Sequence, residues 1–288
     1  MKFLPSLKLS QKLPLALIGS AIVVGAGVGI VSYFLASSAL EAQARQNLDT
    51  IAFERANQLS TYMQGIESDL KKTAKSDNTL FAIGGFSKAW RGLDNPSLGT
   101  DASSTLQQAF LTGDVAKRID VDKVAGLTPA YAVNHTHYQP IYREQIETQG
   151  YHDLYLFDTD GHLVYSTLKA DDFATNFADG SGGKYADSTL GALFRKALAG
   201  SSDDDFVFTD FAPYAAAGGA PLAFIATPVI DATNVKIGVI AIAISPEPLA
   251  KVISYRQGLG ATGDTLIVGL DGLARSNSGF TDEDDVLK

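Results

Sequence analysis

The sequence predicts an α+β protein: an N-terminal transmembrane helix, a long extracytoplasmic helix, an antiparallel five-stranded sheet unit and the start of a second such unit. Three observations predict it. An apolar run without a single charge extends from Leu13 to Leu40. A proline-free stretch with one apolar face comes next. Beyond residue 150, short aromatic and aliphatic runs alternate with Asp-Gly turns, and one strand–turn–strand pattern occurs twice.

The first element is "LPLALIGSAIVVGAGVGIVSYFLASSAL", residues 13–40. Inside it "VVGAGVGI" imitates a glycine-rich phosphate loop, but the third position of GxGxxG is Ile30, with Gly29 one residue early. A helix needs about 20 apolar residues to cross the hydrocarbon core, and within lipid every backbone amide must be satisfied inside the segment. The run is therefore a membrane helix, and Gly25 and Gly29 share a face suited to close helix–helix approach. Lys2, Lys8 and Lys12 precede it and Glu41 is the first charge after it, so residues 1–12 stay cytoplasmic and the remainder is exported. Ala42-Gln43-Ala44 resembles a signal-peptidase site, yet signal cores of about 7–15 residues are much shorter than this run, which favours an uncleaved anchor.

Residues 41–78 form the long stalk helix. Leu40, Ala44, Leu48, Ile51, Leu59, Tyr62, Ile66 and Leu70 recur at helical steps and build one apolar face, while Lys71, Lys72 and Lys75 suit the negative end of the helix dipole. That face requires a partner subunit, the following domain, or both. From 79 to 149 the pattern predicts short helices broken at Gly84-Gly85 and at "DNPSLG", then a helix in "AYAVNHTHYQPIYREQIETQG" broken at Pro140 and ending at Gly150.

"YHDLYLFD" and "HLVYST" flank the turn "TDG" and read as a β-hairpin, with Asp153, Tyr155 and Phe157 on one face and His152, Leu154 and Leu156 on the other. An Asp/Gly-rich loop leads to the helix "TLGALFRKALAG", stopped by Gly200. "DFVFTDFAPY", "PLAFIATPVID" and "IGVIAIAIS" supply three more strands, and "PEPLAKVISYR" departs as a helix with proline in its first turn. "LYLFDTDGHLVYS" returns in outline as "DTLIVGLDGLARS", which pairs Asp160-Gly161 with Asp271-Gly272. Residues 79–245 are thus expected to form the membrane-distal domain. Residues 246–288 are expected to form a linker helix and the truncated start of a second unit, as in the front part of a longer protein.

A net charge of −9 argues against a nucleic-acid partner. The absence of cysteine excludes thiolate catalysis and cysteine-ligated zinc. His135-x-His137 lacks the four ligands of a closed zinc site, and "DTDG" lacks the twelfth-position Glu of a calcium loop. The acidic runs Asp203–Asp205 and "DEDD" read as solvated loops. No GxSxG, HExxH or Walker loop occurs, so no catalytic residue, metal or cofactor is expected, and the spacing does not recommend Asp210 with Glu144 as a hydrolytic pair.

Three stretches, "HYQPIYREQIETQGYHDLYLFDTDGHLVYSTLKADDFATNF", "FTDFAPYAAAGGAPLAFIATPVID" and "GLGATGDTLIVGLDGLARSNSGF", carry a resemblance to a known family. In them the chain resembles the double Cache sensor region of bacterial methyl-accepting chemotaxis proteins, whose sheet units are PAS-like. The resemblance implies a homodimeric, non-enzymatic receptor anchored in the inner membrane, with residues after about 40 in the periplasm. It further implies a small-molecule ligand in the membrane-distal pocket and a signal relayed to a cytoplasmic kinase through regions absent from this chain. Sensor kinases and cyclases share such sensors, and a membrane-tethered periplasmic binding protein or hydrolase is the alternative class. Cache ligands sit between the sheet and its loop-and-helix cover, which nominates Tyr138, Tyr142, Arg143, Tyr155, Asp172, Asp210 and Tyr214. Arg143 would face a ligand carboxylate, or pair with Glu147 on the helix surface, and Asp210 would face an amine or hydroxyl. The Arg-x-Trp-Tyr run of some amino-acid-binding double Cache receptors is missing; "YREQI" stands nearby instead.

Overall fold

A computed structural model describes residues 8–94, 97, 99–124, 127–202, 204–254, 258–280 and 285–288. Lys2, Asp203 and the first three residues of "DEDD" lie outside the described residues, as do three positions of "DNPSLG". The chain forms two compact units, Met1–Ala56 with Gln257–Ala261, and Asn57–Arg256 with Thr262–Lys288. The helix α1, Leu9–Ala74, contributes to both.

In the first unit, α1 displays the uncharged run with its large side chains exposed, Val23 and Tyr33 among them. By length and composition the helix can cross a membrane. Nothing lies within 4 Å of where a β-carbon on Gly25 or Gly29 would stand, so the small-residue face is open.

In the second unit, Ile66, Leu70 and Ala74 of α1 are buried and Leu59 and Tyr62 pack beside them, so this part of the predicted stripe finds its cover within the chain. The helix stops at Ala74, short of residue 78, because Ser76 caps a new helix by accepting from the Thr79 amide. That helix, α2 (Asp77–Leu93), runs unbroken through Gly84-Gly85. A β-carbon on Gly85 would stand 2.8 Å from the Asn134 side chain, so this glycine permits helix–helix contact instead of ending a helix. Two short helices, α3 (Ala102–Phe110) and α4 (Val115–Arg118), lead to α5 (Pro129–Gln149).

The expected break at Pro140 does not occur, since α5 carries the proline within its length. Tyr138, Gln139, Tyr142 and Ile146 are buried on both sides of it. Burial of such side chains contributes about 1.5–3 kcal/mol each, enough to outweigh the roughly 3 kcal/mol cost of an interior proline. Gly150 ends the helix in the left-handed conformation, at φ 72°.

The sheet has five antiparallel strands: β1 (Asp153–Phe157), β2 (Leu163–Ser166), β3 (Val207–Tyr214), β4 (Ala220–Ile230) and β5 (Lys236–Ile244). Their order is β2-β1-β5-β4-β3. Strand β1 pairs with β5 rather than β3, so the crossover carrying α6 (Thr189–Ala199) passes over one face. Strand alternation then creates two cores. Leu154, Leu156, Tyr165, Ile240 and Ile242 pack under α2 and α5, and Tyr155, Phe157, Phe224 and Ala241 pack with α6. Gly200 caps α6 at φ −58°, so it does not act as a left-handed stop.

After α7 (Pro246–Ile253), the repeated pattern forms a tight bend with one isolated bridge, Val268 to Ala274. Its backbone bonds copy the first hairpin. The Asp158 amide donates to the His162 carbonyl, and the Gly269 amide to the Leu273 carbonyl. Gly161 and Gly272 hold the matching positions at φ 88° and 82°.

Candidate functional site

Buried polar groups gather where β1, β2 and the crossover meet. Asp153, Ser166 and Asp172 are all fully buried. Asp153 Oδ1 accepts from three backbone amides, of Leu154 at 2.7 Å and of Thr167 and Leu168 at 2.9 Å, which ties the start of the crossover to the sheet. Asp172 Oδ2 accepts from the Tyr214 hydroxyl at 2.6 Å. The second carboxylate oxygen of each acid, and the Ser166 hydroxyl, have no partner among the described residues. Register puts Ser166 opposite Tyr155, so these groups and Tyr155 share the α6 face.

Electrostatics follow from that burial. Desolvation lifts the Asp172 carboxyl to about 6, despite its bond from Tyr214. Asp153 is also pushed up, first by desolvation and then by the neighbouring Asp172 charge, while its backbone amides work against the shift. The Tyr155 hydroxyl is driven well above its ordinary value by burial and by the two carboxylates. Unpaired oxygens on buried acids favour a partner that brings hydrogen-bond donors or positive charge.

The seven nominated residues do not share one pocket. Tyr155, Asp172 and Tyr214 come together on the α6 face. Tyr138 and Tyr142 stand in the other core, beneath α2, where Tyr142 shares a hydrogen bond with Thr79 at 3.2 Å. Arg143 points to the flank of α5 and donates to Asp122 at 2.9 and 3.4 Å and to the Ile119 carbonyl at 3.2 Å. In place of the alternative helix-surface pairing with Glu147, Arg143 makes an ion pair across the preceding loop. Asp210 receives a two-pronged bond from Arg275 at 2.9 and 2.7 Å, and Arg275 also donates to Asp271 at 2.8 Å. The Arg275 bond holds the Asp210 carboxyl below its usual range. The helix and strand periods place each residue on its own element, but the face each element presents depends on packing that a one-dimensional pattern does not carry.

Asp153, Ser166, Lys169 and Gln139 are buried polar residues outside the nominated set. Asp153 carried a signal: it is an acid inside an otherwise apolar strand, on the same face as Tyr155. Gln139 and Lys169 carried none, since each stands in a polar stretch. His135 is buried against Phe110, with Nδ1 3.3 Å from the Asp122 carbonyl. Desolvation, then the charge of Lys169, lowers its pKa to about 2. Asp158, Asp160 and His162 cluster closely enough to hold a metal ion. Asp158, however, already accepts from the amides of Asp160 and His162 and lies 3.0 Å from the His162 ring, as a hairpin turn demands. A cleft of about 560 Å³ opens elsewhere, lined by His152, Pro221, Glu247 and Asn277 among others.

No family profile matches the chain, and no curated protein matches it. Several solved structures do. The ligand-binding domain of the Pseudomonas fluorescens chemoreceptor CtaA, in complex with L-serine, aligns at 19% identity over 85% of this chain and 77% of that one, with a TM-score of 0.45. The ligand-binding domain of the Pseudomonas aeruginosa PAO1 amino acid chemoreceptor PctC, in complex with GABA, aligns at 18% identity over 65% and 73%, with a TM-score of 0.36. The sensor domain of the V. cholerae histidine kinase DctB aligns at 18% identity over 72% of this chain and 60% of that one, with a TM-score of 0.32.

Proposed function

We propose that this chain is the extracytoplasmic ligand-sensing part of a transmembrane chemoreceptor of the double Cache type. Residues 13–40 anchor it in a bacterial inner membrane as a homodimer, residues after about 40 lie in the periplasm, and ligand binding in the 79–245 domain is relayed to a cytoplasmic kinase. One observation carries the reading of the site. Two fully buried carboxylates, Asp153 and Asp172, each keep an oxygen without a hydrogen-bond partner among the described residues, beside Tyr155 and Tyr214. Leaving such groups unpaired costs about 1–3 kcal/mol each, a cost that a small molecule bringing ammonium or hydroxyl donors removes on binding. Binding of this kind reports presence without chemistry, which suits a sensor, and signalling then needs only a difference in affinity between two arrangements of the helices.

A thermal-shift screen of primary amines, amino acids and polyols against the full chain in detergent micelles tests this. A compound that binds only the folded state raises its melting temperature. Asp172→Asn is expected to abolish the shift given by any hit while the protein stays folded. Equal shifts in the variant and the wild type would move the ligand away from this face.

A further inference from the structure

The crossover reaches the other face of the sheet as well, through Lys169. This lysine is fully buried, and its ammonium is 2.7 Å from Gln139 Oε1, 2.5 Å from the Ser166 carbonyl and 3.4 Å from the Thr167 carbonyl. Three aromatic rings surround it, with centroids at 4.4 Å for Tyr165, 5.4 Å for Phe110 and 5.7 Å for Phe173. Carbonyl oxygens and ring faces are the two neutral environments that hold a cation well.

Apart from the Phe173 ring, which belongs to the same segment as Lys169, the enclosure is held by bonds that Lys169 does not make. Gln139 Nε2 donates to the carbonyls of Ile119 and Thr167, at 2.8 and 3.0 Å, so its oxygen must face the ammonium. The Tyr165 hydroxyl donates to that same oxygen at 2.8 Å, which fixes the ring. The segment bearing the occupant is, by contrast, strained. Lys169 and Ala174, at its two ends, are non-glycine residues in the left-handed region, at φ 56° and 59°. Side chains from the helices hold it down: Arg118 on the Lys169 carbonyl, Gln107 on that of Phe173 and Ser103 on that of Ala174.

We propose that the enclosure formed by Gln139, Tyr165, Phe110 and the Ser166 carbonyl is a cation-binding site, filled here by the chain's own Lys169 and able to take a small alkylammonium ion when that side chain withdraws. Segment 169–174 is then a tethered occupant, and its strained ends favour release once an outside cation takes the lysine's place. The same segment carries Asp172, so departure of Lys169 from one face is tied to the acid on the other. The cation site stands on the helix-covered face, and the buried Asp153 carboxylate of the α6 face favours the Lys169 ammonium against its desolvation. A failure of the rescue would leave the bonds of Asp153 and Asp172 on the α6 face as they are.

Chemical rescue tests it on the full chain in micelles, with fluorescence of Trp90, the single tryptophan, reporting unfolding. Lys169→Met keeps the length of the side chain and removes its charge. Methylammonium chloride, compared with sodium chloride at equal ionic strength, should raise the melting temperature of this variant by roughly 3 °C and that of the wild type by less, because there the ion must first displace Lys169. Adding Gln139→Leu to the variant should remove the rescue. An equal response in both proteins, or in neither, overturns the proposal. If Lys169→Met does not fold in sodium chloride, refolding in methylammonium decides: recovery supports the site, and failure to recover while Lys169→Arg folds overturns it.

Discussion

The two faces of the sheet use the same kinds of residue to opposite ends. Under α2 and α5, three fully buried tyrosines are partnered: Tyr131 donates to the Val164 carbonyl, Tyr142 bonds with Thr79, and Tyr165 donates to Gln139, while the Tyr62 hydroxyl and His135 Nε2 have no partner among the described residues. On the α6 face Tyr214 also finds a partner, Asp172, but the acids there keep unpaired oxygens. A face whose fully buried tyrosines are bonded, and which buries no unpaired carboxylate oxygen, can serve as scaffold. One that buries such oxygens still has free energy to gain from something that arrives later.

If the α6 face is organised around Asp153, the largest effect of any single change should come there. Asp153→Ala removes the acceptor of three buried amides and is expected to cost about 4 kcal/mol, read from chemical denaturation of the full chain in micelles. Tyr142→Phe, on the helix-covered face, deletes one shared hydrogen bond and should cost about 1 kcal/mol. Equal costs would mean that the two faces do not differ in the way described.

The next effect concerns pH. Asp172 has its carboxyl raised to about 6 by burial, against 3.8 for the free group. Below about pH 4 both the folded and unfolded chains hold the proton, and Asp172 then adds nothing to the pH dependence. As pH rises towards 6 the unfolded chain ionises first, so stability falls, and the loss levels off above 6 at about 3 kcal/mol. Asp172→Asn removes this contribution and should flatten the decline of melting temperature between about pH 4 and 6 relative to wild type. The opposite sign, a variant whose stability falls more steeply, would show that the folded state holds Asp172 as a stabilised carboxylate.

The division into faces was open to sequence reading only in part. Alternation along β1 separates Tyr155 and Phe157 from Leu154 and Leu156 because a strand has a period of two, and the structure follows it. The Asp-Gly bends were equally accessible, since turn chemistry is local. Gly85 and Pro140 misled because both are usually breaks, and only the tertiary partners, Asn134 for one and a buried tyrosine face for the other, reverse that meaning. The partners of Arg143 and Asp210 within the chain, Asp122 and Arg275, could not be read from the sequence because they lie 21 and 65 residues away. Lys169 was invisible for a related reason: a lysine in "STLKADD" reads as solvated until three rings and three oxygens are folded around it.

The smallest effect should come from Arg143, the nominated residue whose placement differs most from its expected role. Its guanidinium bonds Asp122, a half-exposed acid, and the Ile119 carbonyl, on the outer flank of α5. Ion pairs so open to water contribute about 0.2–1 kcal/mol and weaken as salt screens them. Arg143→Ala should therefore cost less than 1 kcal/mol at low ionic strength, and still less in high salt. The melting-temperature shift given by any ligand of the α6 face should stay unchanged, because Arg143 reaches neither Asp153 nor Asp172. A variant that folds normally but loses its ligand response would place the ligand on the helix side of the sheet and reverse the roles assigned to the two faces.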